Sequence, residues 1–174
     1  MAILIMNIDP KHEFQPPVEF VIPIEQLFGD DEEETQLLRS MAAQAEMYLS
    51  RFPWCQSIKA NYFGAGVGKV AAIFVINIVR SRADVDEWMW VVVGDIPSAY
   101  IAIDDCKTPS SALVAYIREM RLWIQLAKQG RTSSEVIPVN VPPTAEWARK
   151  LERRMDFLQE NILPRFKEDE VERA

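Results

Sequence analysis

Three groups of residues in this chain have types and spacings that bear on chemistry. The first, Gly64-Ala-Gly66-Val-Gly68-Lys69, invites comparison with a phosphate cradle. A loop of the G-x-x-x-x-G-K-[ST] type needs a glycine five positions before Gly68 and a hydroxyl after Lys69 to hold magnesium. Those positions are Phe63 and Val70. The dinucleotide pattern G-x-G-x-x-G also fails, because its third glycine comes one position early. A β-branched run follows where both motifs would open a helix. Nucleotide chemistry is therefore set aside.

The second group is carboxylate: Asp95 in a Gly-Asp-Ile-Pro turn, with Asp104 and Asp105 downstream. If the flanking strands pair as a hairpin, Asp95 lies at its tip and Asp104 at the far end. At ~3.3 Å of rise per residue they are well over ~10 Å apart. That separation argues against paired acid/base work and against a compact metal site. Asp95 is expected to hydrogen-bond its own turn backbone instead. The third group is His12, Cys55 and Cys106. His12 is the only histidine and sits among prolines, whereas a triad or dyad needs it held against a nucleophile. The two cysteines lack CxxC or Cys/His spacing and read as reduced thiols. No catalytic residue, metal or cofactor is assigned.

Binding is the chemistry that remains. Gly64, Gly66 and Gly68 recur at period two, and Trp88 and Trp90 share a strand face by the same period. Large indoles can lie over a bare glycine strand. The alternative leaves the glycine floor open as a shallow groove around Gly66, Trp88 and Trp90, a pocket for a small molecule or a substrate. Trp54 follows Pro53 in a loop and is the indole best placed for exposure; such side chains often dominate a recognition surface. Trp123 and Trp147 are placed in the core. Asp95 completes the set of candidate binding residues.

These residues must be positioned by a chain of 174 residues, 49% of them hydrophobic, enough for one domain with a substantial core. Its 26 acids and 19 bases give a formal charge of -7. The bases are scattered and mostly lie beside acids, whereas nucleic-acid binders concentrate them. Nucleic acid and anionic membranes are not expected partners, while a basic protein suits the charge. The apolar run at residues 2–6 is too short for a signal peptide, and no stretch approaches the ~20 residues that span a bilayer. A cytoplasmic location is the expectation.

Residues 1–28 carry Pro10, Pro16, Pro17 and Pro23 and read as a proline-rich wrap, with a short edge strand allowed at 18–24. An acidic run then leads into a helix capped by Asp31, with Glu34 in capping-box position, ending near Phe52 before Pro53. Leu38, Met41, Ala45, Tyr48, Leu49 and Phe52 form its apolar face. Four strands are expected at 58–64, 70–79, 88–93 and 99–103, the second covered on both faces. Their short connections favour antiparallel neighbours. A second helix starts at Thr108-Pro109 and stops at Gly130. A third starts at Thr144, buries Trp147, Leu151, Met155, Leu158 and Ile162, and is expected to end at Pro164. The charged tail at 167–174 is expected to fray.

The run Trp90-Val-Val-Val-Gly-Asp-Ile-Pro-Ser-Ala-Tyr100, followed by Thr108-Pro-Ser-Ser-Ala-Leu-Val-Ala-Tyr-Ile, resembles a family of uncharacterised small bacterial proteins over residues 88–130. In size, acidity and lack of catalytic groups the chain is also similar in type to immunity proteins that neutralise polymorphic toxins. Neither resemblance implies a functional residue. The expectation is a single α+β domain, an antiparallel meander of about four strands packed on three helices. Its expected role is non-enzymatic protein binding, with an acidic surface and the Asp95 turn presented to a basic partner. A homodimer burying a strand edge or helix face is a further arrangement the pattern allows.

Overall fold

The computed structural model describes residues 15–174, so His12 and the first part of the wrap lie outside the described residues. The elements run β1 (Ile22–Pro23), a short 3-10 turn, α1 (Glu32–Ser50), β2 (Cys55–Val67), β3 (Ala71–Arg80), β4 (Trp88–Gly94), β5 (Ala99–Ala102), α2 (Pro109–Lys128), α3 (Ala145–Phe157), a π turn (Leu158–Ile162) and α4 (Leu163–Arg173). The architecture is α+β. One antiparallel sheet takes its strands in sequence order, β1 to β5. It has five strands where about four were expected. The extra one is a two-residue edge strand whose Pro23 needs no outward N–H partner.

The sheet is covered on both faces. β3 is buried from Ala71 to Ile78 because alternate residues serve separate cores. Phe74, Ile76 and Ile78 meet Leu38, Met41, Ala45 and Leu49 of α1. Ile73 and Val75 face the opposite layer, with Trp90, Leu113, Tyr116 and Met120. Each fully buried side chain of this size contributes about 1.5–3 kcal/mol of apolar transfer free energy.

Local signals explain the helix boundaries. Asp31 Oδ1 accepts from the Glu34 N–H at 2.8 Å. Glu34 does not close the capping box; its Oε1 accepts from the Gly68 N–H at 2.8 Å and ties the helix to the β2–β3 turn. Thr108 caps α2, and Ser111 returns the bond to the Thr108 N–H at 3.0 Å. At the other end Gly130 takes φ +68°, while Gly130 and Arg131 donate to the Ala127 and Leu126 carbonyls, a Schellman closure.

Pro164 does not end the third helix. In the π turn the Leu163 N–H reaches back five residues to the Leu158 carbonyl. This widening makes room for the pyrrolidine ring, and the helical path continues from residue 145 to 173. The three expected helices are therefore α1, α2 and this long rod. The tail does not end loose either. Glu170 bonds Ser110, and Arg173 Nη1 donates to the Phe20 and Gly64 carbonyls, each at 3.1 Å. No helix among the described residues is long and apolar enough to cross a membrane.

Candidate binding site

The Asp95 turn is built by backbone constraint. Gly94 has φ +143°, and a Cβ there would collide with the Val70 carbonyl. The Asp95 N–H donates to the Lys69 and Val70 carbonyls at 3.0 and 3.1 Å, locking the turn onto the β2–β3 connection. The Tyr116 hydroxyl donates to the Pro97 carbonyl at 2.6 Å from within the core. Asp95 does not bond its own turn through its side chain. Its Oδ1 lies 2.9 Å from Arg154 Nη1, and Arg154 also donates to the Asp95 carbonyl. β4 and β5 pair with Val92 opposite Ala99 and Met89 opposite Ala102, so Asp104 lies beyond the far end of this hairpin, as expected.

Cations gather around that turn. Two clefts of about 540 and 650 Å³ share Asp95, Ile96, Arg153 and Arg154; Lys150 lines the first and Lys69 the second. The bases are thus not all scattered. In sequence Lys69 is far from Lys150, and only the β2–β3 turn brings it to α3. A basic partner does not suit an Asp95 so surrounded. Trp147, expected in the core, is 39% exposed on the first cleft, with Lys150 Nζ 4.4 Å from its ring centroid. The indole shares this cleft with the loop residues Val139 and Val141, whereas Leu151 and Met155 of the same stripe are buried.

Trp54 occupies a different surface. Its ring stacks on Phe52 at 4.7 Å and 17°, and Tyr100 stands edge-on to both rings at 5.4 Å. Tyr48 closes the cluster edge-on to Phe52 at 5.3 Å. Burial pushes the Tyr48 hydroxyl up to about 12. Tyr100, on edge strand β5, is 41% exposed. Beside it, Trp54, Tyr100, Met89, Asp84 and Asp86 line a cleft of about 150 Å³. The hydrogen bond from Arg82 holds the Asp84 carboxyl below the usual range. Asp86 makes no hydrogen bond or ion pair among the described residues.

The glycine and tryptophan sets do not meet. β2 pairs with β3, and the register places Trp90 across Val75 from Tyr62, two strands away from the glycines. A register shift between Phe63 and Ala65 also breaks the period, so the glycines do not strip one face. A Cβ on Gly64 would meet Pro109, whereas one on Gly66 would meet Leu38 and Ala72, and one on Gly68 would meet Glu34 and Leu37. Helix α1 and Pro109 therefore fill the space over the glycine strand. Gly66 lines a small polar cleft with Arg165, Asp169 and Arg173 among its neighbours. Trp90 is fully buried, its Nε1–H donating to the Cys106 carbonyl at 2.8 Å, and Trp88 leans on Tyr62 at 6.0 Å. Trp123 is buried and Trp147 lies in the other cleft, so neither joins Trp54.

Burial raises both thiols, Cys55 and Cys106, and no group of three His, Cys, Asp or Glu side chains among the described residues could hold a metal. Sequence reasoning missed Tyr100, Asp84 and Asp86. Strand alternation in Ala-Tyr-Ile-Ala marks Tyr100 as outward facing, but its nearness to Trp54 depends on how α1 ends. Fold and clefts define an α+β protein with a cation-lined surface at the Asp95 turn and an aromatic, carboxylate-lined one at Trp54 and Tyr100. No family model, curated protein or solved structure matches the chain.

Proposed function

We propose that this chain is a non-enzymatic protein-binding module that receives a basic segment of its partner at the Trp54–Tyr100 face. One observation carries the reading: a braced aromatic cluster, open to solvent at Tyr100, stands beside an Asp86 carboxylate with no partner among the described residues. The ring faces attract a cation at short range, and the Asp86 carboxylate supplies its counter-charge. The cleft is sized for the head of one lysine or arginine side chain. The formal charge of -7 would steer such a partner at longer range. An immunity-type inhibitor, masking the basic working surface of a partner, is the concrete version of this role.

Photo-crosslinking from position 100 tests it. With a crosslinking phenylalanine analogue replacing Tyr100, the expected product is one basic partner, identified by mass spectrometry. Its yield should fall about tenfold with Asp86→Asn or Trp54→Ala, equivalent to about 1.4 kcal/mol of binding free energy. Yields unchanged by both substitutions, or products containing only a second copy of the chain, overturn the proposal.

A further inference from the structure

We infer that the groove along α3, on either side of Arg153 and Arg154, binds an acidic peptide segment carrying bulky apolar side chains. This surface is separate from the Trp54 face and opposite to it in charge. Its two clefts meet at the arginine pair and the Asp95 turn. Trp147 lines one and Phe157 the other; they are 39% and 46% exposed. Ten residues of helix separate them, about 15 Å at 1.5 Å per residue. An extended segment of about five residues covers that span.

Charge selects the occupant. Lys69, Lys150, Arg153 and Arg154 line the groove, and its one carboxylate, Asp95, is already engaged by Arg154. Among the described residues Lys69 and Arg153 make no hydrogen bond or ion pair through their side chains. Lys150 Nζ lies 3.1 Å from Glu146 Oε1, so two of the four cations are paired, and Lys69 and Arg153 leave a local excess of positive charge in a chain of charge -7. An acidic segment would satisfy the two free cations, and Ile96, Val141 and Leu158 provide apolar walls for its side chains.

Shape separates the peptide from other anions. A duplex presents phosphates evenly and offers no side chain to two apolar recesses on either side of a guanidinium pair, while a single strand would stack its bases on ring faces, which the oligonucleotide in the test addresses. A bilayer presents a plane, whereas Trp147 and Phe157 line concavities of about 540 and 650 Å³. These volumes lie in the range of side-chain and ligand pockets.

The test is fluorescence anisotropy with the full chain and short labelled peptides of Glu interspersed with Phe and Leu. Peptides with Lys in place of Glu, phosphatidylserine vesicles and a single-stranded oligonucleotide serve as comparisons. The acidic peptides are expected to bind, more weakly as salt rises. Arg153→Glu combined with Lys69→Glu should lower affinity at least tenfold, and Trp147→Ala should lower it separately. Trp54→Ala should leave it unchanged, which distinguishes this groove from the Trp54 face. Far-ultraviolet circular dichroism checks that each variant is folded. Absence of acidic-peptide binding up to millimolar concentration overturns the inference. So does equal binding of the Lys peptides, preference for vesicles or oligonucleotide, or indifference to the charge reversals.

Discussion

Glu170 grips Ser110 with both carboxylate oxygens, one on the backbone N–H and one on the hydroxyl, each at 2.7 Å. Ser110 lies in the first turn of α2, where backbone N–H groups have no partner within the helix and the dipole favours an anion. A side chain near the end of the chain thus caps a helix begun 60 residues earlier. Glu170→Ala is expected to destabilise the protein by about 1–2 kcal/mol in urea denaturation, the scale of a lost cap. Deleting residues 167–174 should cost more, because the Arg173 bonds go with it. An unchanged midpoint in the deletion would mean that the tail frays.

Gly94 and Gly130 both have positive φ but differ in surroundings. At Gly94 a methyl group would strike the Val70 carbonyl, whereas at Gly130 nothing lies within 4 Å. Gly130→Ala should therefore cost about 1 kcal/mol, the conformational penalty alone. Gly94→Ala should cost about 3 kcal/mol or more, since it adds a backbone collision. Equal costs in thermal unfolding would remove the role assigned to the Val70 approach.

Tyr48 makes stability depend on pH at the alkaline end. Burial first, and Tyr100 second, raise its hydroxyl from 10.0 to about 12. The folded state thus holds this proton more tightly than the unfolded state. The contribution is complete below pH 10 and is lost as pH rises towards 12. Two units set a ceiling of about 2.7 kcal/mol, and partial exposure reduces that to about 1 kcal/mol. Tyr48→Phe should flatten the decline between pH 10 and 12 relative to the unmodified protein; parallel curves would exclude this assignment.

Trp90 is both a core volume and a donor. Trp90→Phe leaves the Cys106 carbonyl without its indole partner and opens space in a buried layer. A loss of about 2–3 kcal/mol is expected from the orphaned acceptor and the cavity together. A change below about 0.5 kcal/mol would show that the bond contributes little.

Cys55 and Cys106 are buried and their thiols are raised by that burial, so little thiolate is present near neutral pH. Both should react slowly with a thiol-specific disulfide reagent in the native state and rapidly in denaturant. Fast native labelling of either would contradict the burial.

Local physics left much of this protein legible in its sequence. The caps Asp31, Thr108 and Thr144, the stop at Gly130 and the doubly covered β3 all follow from hydrogen-bond accounting and hydrophobic period. Those terms act within a turn or a strand. The same rules misplaced the end of the third helix, because a proline's cost is removed by a π turn that periodicity does not reveal. They also placed the tryptophans over the glycines, because a β-bulge and an intervening strand lie between them.

The candidate surfaces belong to the tertiary structure. Asp95 could be picked out as a turn residue, but its pairing with Arg154 needs the third helix to lie against the β4–β5 hairpin. Trp54 could be picked out as a loop indole, and the structure leaves it half-buried; Tyr100 and Asp86 join it only when sheet and α1 pack. Sequence alone determined most of the helices and strands and their apolar faces, with the helix beyond Pro164 and the place of Trp147 as exceptions. The folded chain decided which charges and rings become neighbours, because such contacts depend on long-range packing and register rather than on local backbone preference.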